Sequence, residues 1–212
     1  MLYILLSLTA IGAVLLTNEY LWQKKLVRGE ASRKLAHILI GSFIAAWPVY
    51  MSWSEIRIAL VVAFVSAVVV RKLVLFPSIF DVKRRSYGDI AAPIIIIIAA
   101  TLEPTKTIFA VAVLHVAFAD GMAALIGSRF GRKTAYNIRK QKKTLIGTAT
   151  FYVCSMIIMT TAAIFKPTLD IPTMLMYIGV IPILATFIEN ISPNGLDNVF
   201  VPGAVITLLL LF

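Results

Sequence analysis

Residues 119–147 read ADGMAALIGSRFGRKTAYNIRKQKKTLIG: an acid within an apolar helical run, then glycines, then a dense basic segment. Helical spacing puts Ala117, Asp120, Ala124, Gly127 and Gly131 on one stripe, so a carboxylate heads a track with almost no side chains. Beyond it Arg129, Arg132, Lys133, Arg139, Lys140, Lys142 and Lys143 place seven cations within fifteen residues, followed by Thr144 and Gly147. The runs on either side, 108–126 and 145–165, are apolar enough to be membrane helices. An ionisable group inside such a helix costs about 2.5–3.5 kcal/mol on insertion scales, so Asp120 needs either a buried partner or a function. The basic segment has the charge density that suits a polyphosphate.

Composition points the same way. With 60% hydrophobic and 14% charged residues, and a mean hydropathy of +0.92, the chain carries more apolar surface than one soluble core of 212 residues can hide. The expected fold is all-α: a single integral membrane domain over residues 1–212, a polytopic helical bundle. A net charge of +10 raises the question of nucleic acid, but the cations are confined to a few segments between apolar runs. Membrane surface and phosphorylated ligands account for them better, and no nucleic-acid partner is expected. The one cysteine, Cys154, lies in an apolar run, which excludes a disulfide framework and a thiolate metal site.

The apolar runs are 2–16, 35–53, 56–70, 90–102, 108–126, 145–165, 173–188 and 199–212. They predict about eight spans, with seven the alternative count. No lysine or arginine precedes the first run and Lys24, Lys25 and Arg28 follow it, an order that suits a retained helix rather than a cleaved signal peptide. With the N-terminus outside, seventeen of the twenty cations fall in three inner loops: Lys24 to Lys34, Arg71 to Arg85, and the seven named above. Only Arg57, Lys106 and Lys166 are left outside, the asymmetry expected of a correct orientation. The fourth and eighth runs are short, so a wet indentation is expected on the inner face.

That orientation gathers scattered acids. Asp89 opens the fourth helix from inside, Asp120 lies near the inner end of the fifth, Glu189 closes the seventh and Asp197 follows, with the amides Asn190, Asn194 and Asn198 nearby. Carboxylates and amides beside cations are what a magnesium nucleotide needs. At the start of the second helix Arg33, His37 and Gly41 share a face, with Lys34 one step round; these residues suit phosphate or the orientation of a hydroxyl. His115 is five residues before Asp120, about 140° round an α-helix, and is expected to bond a neighbouring helix instead. Soluble signatures are missing: 131–134, Gly-Arg-Lys-Thr, lacks the spacing of a P-loop, and no GxSxG, HExxH or paired CxxC occurs.

The ordered set of Arg33-Lys34 with His37, 119–127 (ADGMAALIG), Lys142-Lys143-Thr144 with Gly147, and Glu189-Asn190 with 195–198 (GLDN) and Val201-Pro202 resembles the membrane-bound polyprenol kinase family. That family comprises dolichol kinases, phytol kinases and CTP-dependent diacylglycerol kinases. The resemblance implies transfer of the terminal phosphoryl group of a nucleoside triphosphate, CTP before ATP, to the hydroxyl of a membrane lipid alcohol: phytol, a polyprenol or diacylglycerol. It implies a multi-pass protein with its active site facing the cytoplasm, in the plasma membrane if the source is prokaryotic.

On that reading Asp120 is the magnesium ligand or base, and Arg33 and Lys34 clamp phosphate. Gly121, Gly127, Gly131, Lys142, Lys143, Thr144, Gly147, Asn190 and Asn198 hold the nucleotide. The metal set is Asp120, Glu189, Asp197 and Asp89. Where the family commonly has glutamate before the glycine of its KKS-type motif, this chain has Ile146, which shifts metal binding toward the other acids. Two rival readings use the same residues: a CDP-lipid-forming cytidylyltransferase, whose later KDxxxxxPGHGGxxDR-like stretch is missing here, and a proton-coupled transporter using Asp120 and His115.

Overall fold

A computed structural model describes residues 1–73, 75–80, 88–139, 141–166, 169–193 and 195–211, with backbone alone for 80 and 88–90. Lys83, Arg84, Arg85, Lys140 and Asn194 lie outside the described residues, as does the side chain of Asp89. The helices are α1 (Leu2–Gln23), α2 (Glu30–Ala45), α3 (Trp53–Leu73), a short α4 (Pro77–Phe80), α5 (Gly88–Thr101), α6 (Lys106–Leu114), α7 (Asp120–Phe130), α8 (Leu145–Ile164), α9 (Ile171–Leu175), α10 (Ile181–Ile191) and α11 (Asp197–Leu211). Every apolar run of the sequence therefore has a helix, and the all-α expectation holds.

Local chemistry explains several of the boundaries. Pro48 follows α2 and cannot continue its hydrogen-bond ladder, so a 3₁₀ turn at Trp47–Val49 leads out instead. Thr105 caps α6 by accepting from the Ile108 amide at 3.3 Å, and Asp170 caps α9 by accepting from Thr173 at 3.1 Å. Gly29, at φ 58°, supplies the left-handed residue that turns the chain into α2.

Two features had no counterpart in the expected pattern. The segments His115–Ala119 and Met176–Val180 are π turns, joining α6 to α7 and α9 to α10 into the long units Lys106–Phe130 and Ile171–Ile191. The basic segment is not an irregular loop either. It folds into an antiparallel hairpin of β1 (Ala135–Ile138) and β2 (Gln141–Thr144), with Ile138 opposite Gln141 and Arg139 at φ 46° in the connection.

The unit Lys106–Phe130 is the axis of the bundle. Of its most apolar window 61% is buried, against 17% for Leu2–Gln23, 33% for Leu145–Ile164 and 28% for Ile171–Ile191. Small residues make that burial possible: Gly41 of α2 sits against Ala117 and Ile38 sits against Gly121, so the two helices cross nearly backbone to backbone. Phe109, Ile56, Met159, Ile181 and Trp47 fill the core around this axis. Outside, large apolar side chains such as Leu5, Val65, Ile157, Phe187 and Leu210 stay exposed, the surface of a membrane protein. By length and composition four helices can cross a bilayer: Leu2–Gln23, Lys106–Phe130, Leu145–Ile164 and Ile171–Ile191. The helix α2 is short and charged at its start, α3 carries charges at both ends, and α5 and α11 are short, so the helices alone do not establish eight crossings.

Candidate active site

Asp120 begins α7 directly after the first π turn. A π turn inserts a residue into the helical repeat and re-aims the side chains beyond it, so the 140° separation between His115 and Asp120 expected of an α-helix does not apply. The two residues nonetheless have separate partners. His115 is fully buried, with Nδ1 2.8 Å from the Val111 carbonyl and Nε2 2.8 Å from Ser155 Oγ, and so bonds between helices as expected. Both ring nitrogens are committed, and among the described residues His115 and Asp120 make no direct bond to each other. Across from the π turn, His37 Nε2 donates to the Val116 carbonyl at 3.0 Å. Three residues earlier on the same face of α2, Lys34 makes an ion pair with Asp120. Its burial to 7% exposure requires such a partner, because removing one member of a buried pair costs about 3–5 kcal/mol.

Three acids from three helices meet at this point. One carboxylate oxygen from each of Asp120, Glu189 of α10 and Asp197 of α11 lies within 4.8 Å of the others. Lys143 of β2 pairs with the Glu189 carboxylate, donates to the Glu189 carbonyl at 2.9 Å and stands 4.0 Å from Asp197. Three carboxylates against two ammonium groups leave a net −1. The acids border an open cavity of about 510 Å³, whose wall also includes Arg33, Lys142, Thr144 and Gly147. Asn198, beside Asp197, faces the same cavity.

An octahedral magnesium has ligands about 2.1 Å away, hence a greatest ligand–ligand span of about 4.2 Å. Three oxygens within 4.8 Å of one another could hold such an ion directly or partly through water. Hard oxygen donors are the chemistry it prefers.

Other residues fall differently from expectation. Gly121 does not line the cavity; a side chain there would strike Ile38. Gly131 is packed against Thr144 and the Gly127 carbonyl, and its place is structural. Gly127 lines the cavity, but a Cβ there would stand 2.8 Å from Thr144 Oγ1 and 3.0 Å from Gly147 Cα. The glycine track thus accommodates α8 first. Asn190 is bonded to Tyr136 and, at 3.2–3.3 Å, to Thr148, which places its amide beside the cavity rather than in it. The cluster among the described residues is formed by the other three expected acids, since the Asp89 side chain lies outside them.

The cations also divide. Arg139 donates to the Ile191 carbonyl at 3.3 Å and Gln141 to the Ser192 carbonyl at 3.3 Å, so with Lys143 the hairpin caps the carboxyl end of α10, where carbonyls lack amide partners. Arg129 lies over the Phe130 ring, 5.3 Å from its centre. Arg33 is gripped by Glu30 through two bonds of 2.6 and 3.2 Å. Glu30 lines the cavity and was missed in the sequence, although its i,i+3 spacing to Arg33 was a usable signal.

A phytol kinase from Synechocystis sp. is 33% identical to this chain over 203 residues, covering 93% of the chain and 85% of its own length. The chain belongs to the polyprenol and phytol kinase family. No family model matches it, and no solved structure does.

In this member of the kinase family the hairpin is held by a residue without obvious chemistry. Tyr136 stands opposite Lys143 in the register, and its hydroxyl donates to Asn190 Oδ1 and lies 2.7 Å from Thr148 Oγ1. Tyr136→Phe should lower stability by about 1 kcal/mol, the usual net worth of a hydrogen bond. For a chain of this length that is roughly 2–4 °C in Tm. An unchanged unfolding temperature in detergent would show that the hairpin is anchored by its backbone and lysine alone.

Proposed function

We propose that this chain is a lipid kinase that transfers the terminal phosphoryl group of a magnesium-bound nucleoside triphosphate, CTP in preference to ATP, to the hydroxyl of an isoprenoid alcohol such as phytol. The observation that carries the reading is the meeting of Asp120, Glu189 and Asp197 with Lys34 and Lys143 on one open cavity. Its volume is in the range of small-molecule sites, about 300–1,000 Å³. The phytol kinase relative supports the acceptor class. Polyprenols and diacylglycerol are the other acceptors to compare.

When bound, magnesium neutralises phosphate charge and orients the terminal phosphorus for in-line attack. The residues of the chain supply the rest. Asp120, Glu189 and Asp197 would hold the ion. Lys34 and Lys143, paired with two of those acids, would supply positive charge to the phosphate oxygens. Arg33 and Lys142 at the cavity wall add charge for the phosphate tail. A carboxylate of the cluster accepts the hydroxyl proton of the lipid. Positioning accounts for most of the rate in such transfers.

The polar ends of α2, α7, α8, α10 and α11 gather at the cavity, which we place on the cytosolic side of a multi-pass bundle of about eight crossings with the N-terminus outside. The distribution of seventeen cations in the three loops on that side supports this orientation. In a prokaryote the membrane is the plasma membrane.

The test is an assay of the purified chain in detergent with magnesium, each of the four nucleoside triphosphates, and phytol, a polyprenol or diacylglycerol. Phosphorylated phytol and CDP are the expected products. Release of pyrophosphate would make the chain a cytidylyltransferase, and an absence of turnover with every pair would end the kinase reading.

A further inference from the structure

Asn198 sits in the first turn of α11 and is 9% exposed. Its side-chain Oδ1 is buried without a hydrogen-bond partner among the described residues. The residue lines the cavity that holds the three acids, next to Asp197, whose Oδ1 accepts from the Asn198 backbone N–H at 3.0 Å. A buried amide oxygen left unpaired is costly and uncommon in folded proteins. Beside three carboxylates, an orphaned oxygen suits a fourth place in an oxygen-ligand set, because hard cations take side-chain carbonyls, though more weakly than carboxylates, among their ligands.

We propose that Asn198 Oδ1 is a direct ligand of the divalent cation, completing the shell formed by Asp120, Glu189 and Asp197. This rests on the magnesium-nucleotide reading above and assigns Asn198 to the ion rather than to the nucleotide. Its neutrality has a physical use. The acids and the two lysines sum to −1, so a divalent ion brings the cluster to +1 and leaves it attractive to phosphate. An aspartate at the same position would bring the sum to zero. Asn190, one of the other amides of this face, cannot share the role, since its side chain is taken by Tyr136 and Thr148.

The probe is Mn²⁺, titrated into the purified full chain in detergent and followed by loss of the free-ion paramagnetic resonance signal, with and without CTP. Asn198→Ala should weaken Mn²⁺ binding about tenfold or more. Asn198→Asp, which keeps an oxygen in place, should bind Mn²⁺ as tightly as the wild type or tighter, while CTP affinity in the presence of metal falls several-fold. It also serves if the alanine variant does not fold. Unchanged Mn²⁺ affinity in Asn198→Ala, or a tenfold loss in Asn198→Asp, would overturn the assignment while leaving the kinase reading intact. A wild type that binds no Mn²⁺ under either condition would remove both.

Discussion

Asp120→Asn is expected to reduce lipid-alcohol phosphorylation by about 10³-fold or more, while the purified variant unfolds within a few degrees of the wild type. The two halves of this expectation have different origins. Activity falls because Asp120 is the acid between the two lysine-bearing elements, α2 and the hairpin, and its oxygen is one of three that converge within 4.8 Å. An amide offers one weak oxygen where the carboxylate offered a charged one, and removal of a single electrostatic contact to a reacting centre commonly costs about 10²–10³. On the proposed function, in which Asp120 is a ligand of the ion, the loss should exceed that.

Stability should change little, because two effects oppose. The charge at position 120 costs about 2.5–3.5 kcal/mol to place in a spanning helix, and the substitution removes that cost. It also removes most of the attraction to Lys34, leaving a buried ammonium with only a neutral acceptor. Turnover within tenfold of wild type, from a variant shown to be folded, would take Asp120 out of the chemistry and leave it as the structural partner of Lys34.

How far the site could be read from the sequence depended on the kind of signal each residue carried. Asp120 was visible because a carboxylate within an apolar run has no ordinary explanation. Glu189 and Asp197 were visible only through the alternation of loops, which put them on the same side as Lys143 although the chain separates Asp120 from Asp197 by more than seventy positions. The eight apolar runs marked the helices, but the number that crosses the membrane depends on length and charge at each end, and four helices meet that requirement unaided.

The π turns left no trace in the sequence. A single inserted residue changes neither composition nor hydropathy, yet it sets the phase of Asp120 relative to everything before it. The hairpin was equally hidden: its connection has Arg139 in the left-handed region rather than the Asn-Gly that usually announces a two-residue turn. As a result, residues read together as phosphate ligands separated, Arg139 to the end of α10 and Lys143 to Glu189. Spacing alone could not decide what the glycines faced. A stripe of small residues serves a close helix and a close ligand equally well, and Gly121 and Gly131 turned out to serve helices.

Gly127→Leu should destabilise the protein by about 2–4 kcal/mol, the sum of overpacking and a lost helix cap. The atoms it would meet are not flexible tips. Thr144 Oγ1, 2.8 Å from the position of a new Cβ, caps α8 by accepting from the Gly147 amide at 3.0 Å, and Gly147 Cα at 3.0 Å is backbone. To admit leucine, either Thr144 rotates and α8 loses its cap, or α7 and α8 move apart and carry β2 away from α10. The second response would also pull Lys143 from Glu189, so binding of CTP, the proposed donor, should weaken together with stability. Gly12→Leu is the control, because nothing lies within 4 Å of a Cβ at that position and the side chain would face the apolar exterior. If thermal unfolding in detergent finds both variants equally stable, the α7–α8 crossing is looser than its geometry implies. If Gly127→Leu folds normally and loses only CTP binding, the glycine is there for the nucleotide rather than for the helix, and the track regains the role that Asp120 at its head first suggested.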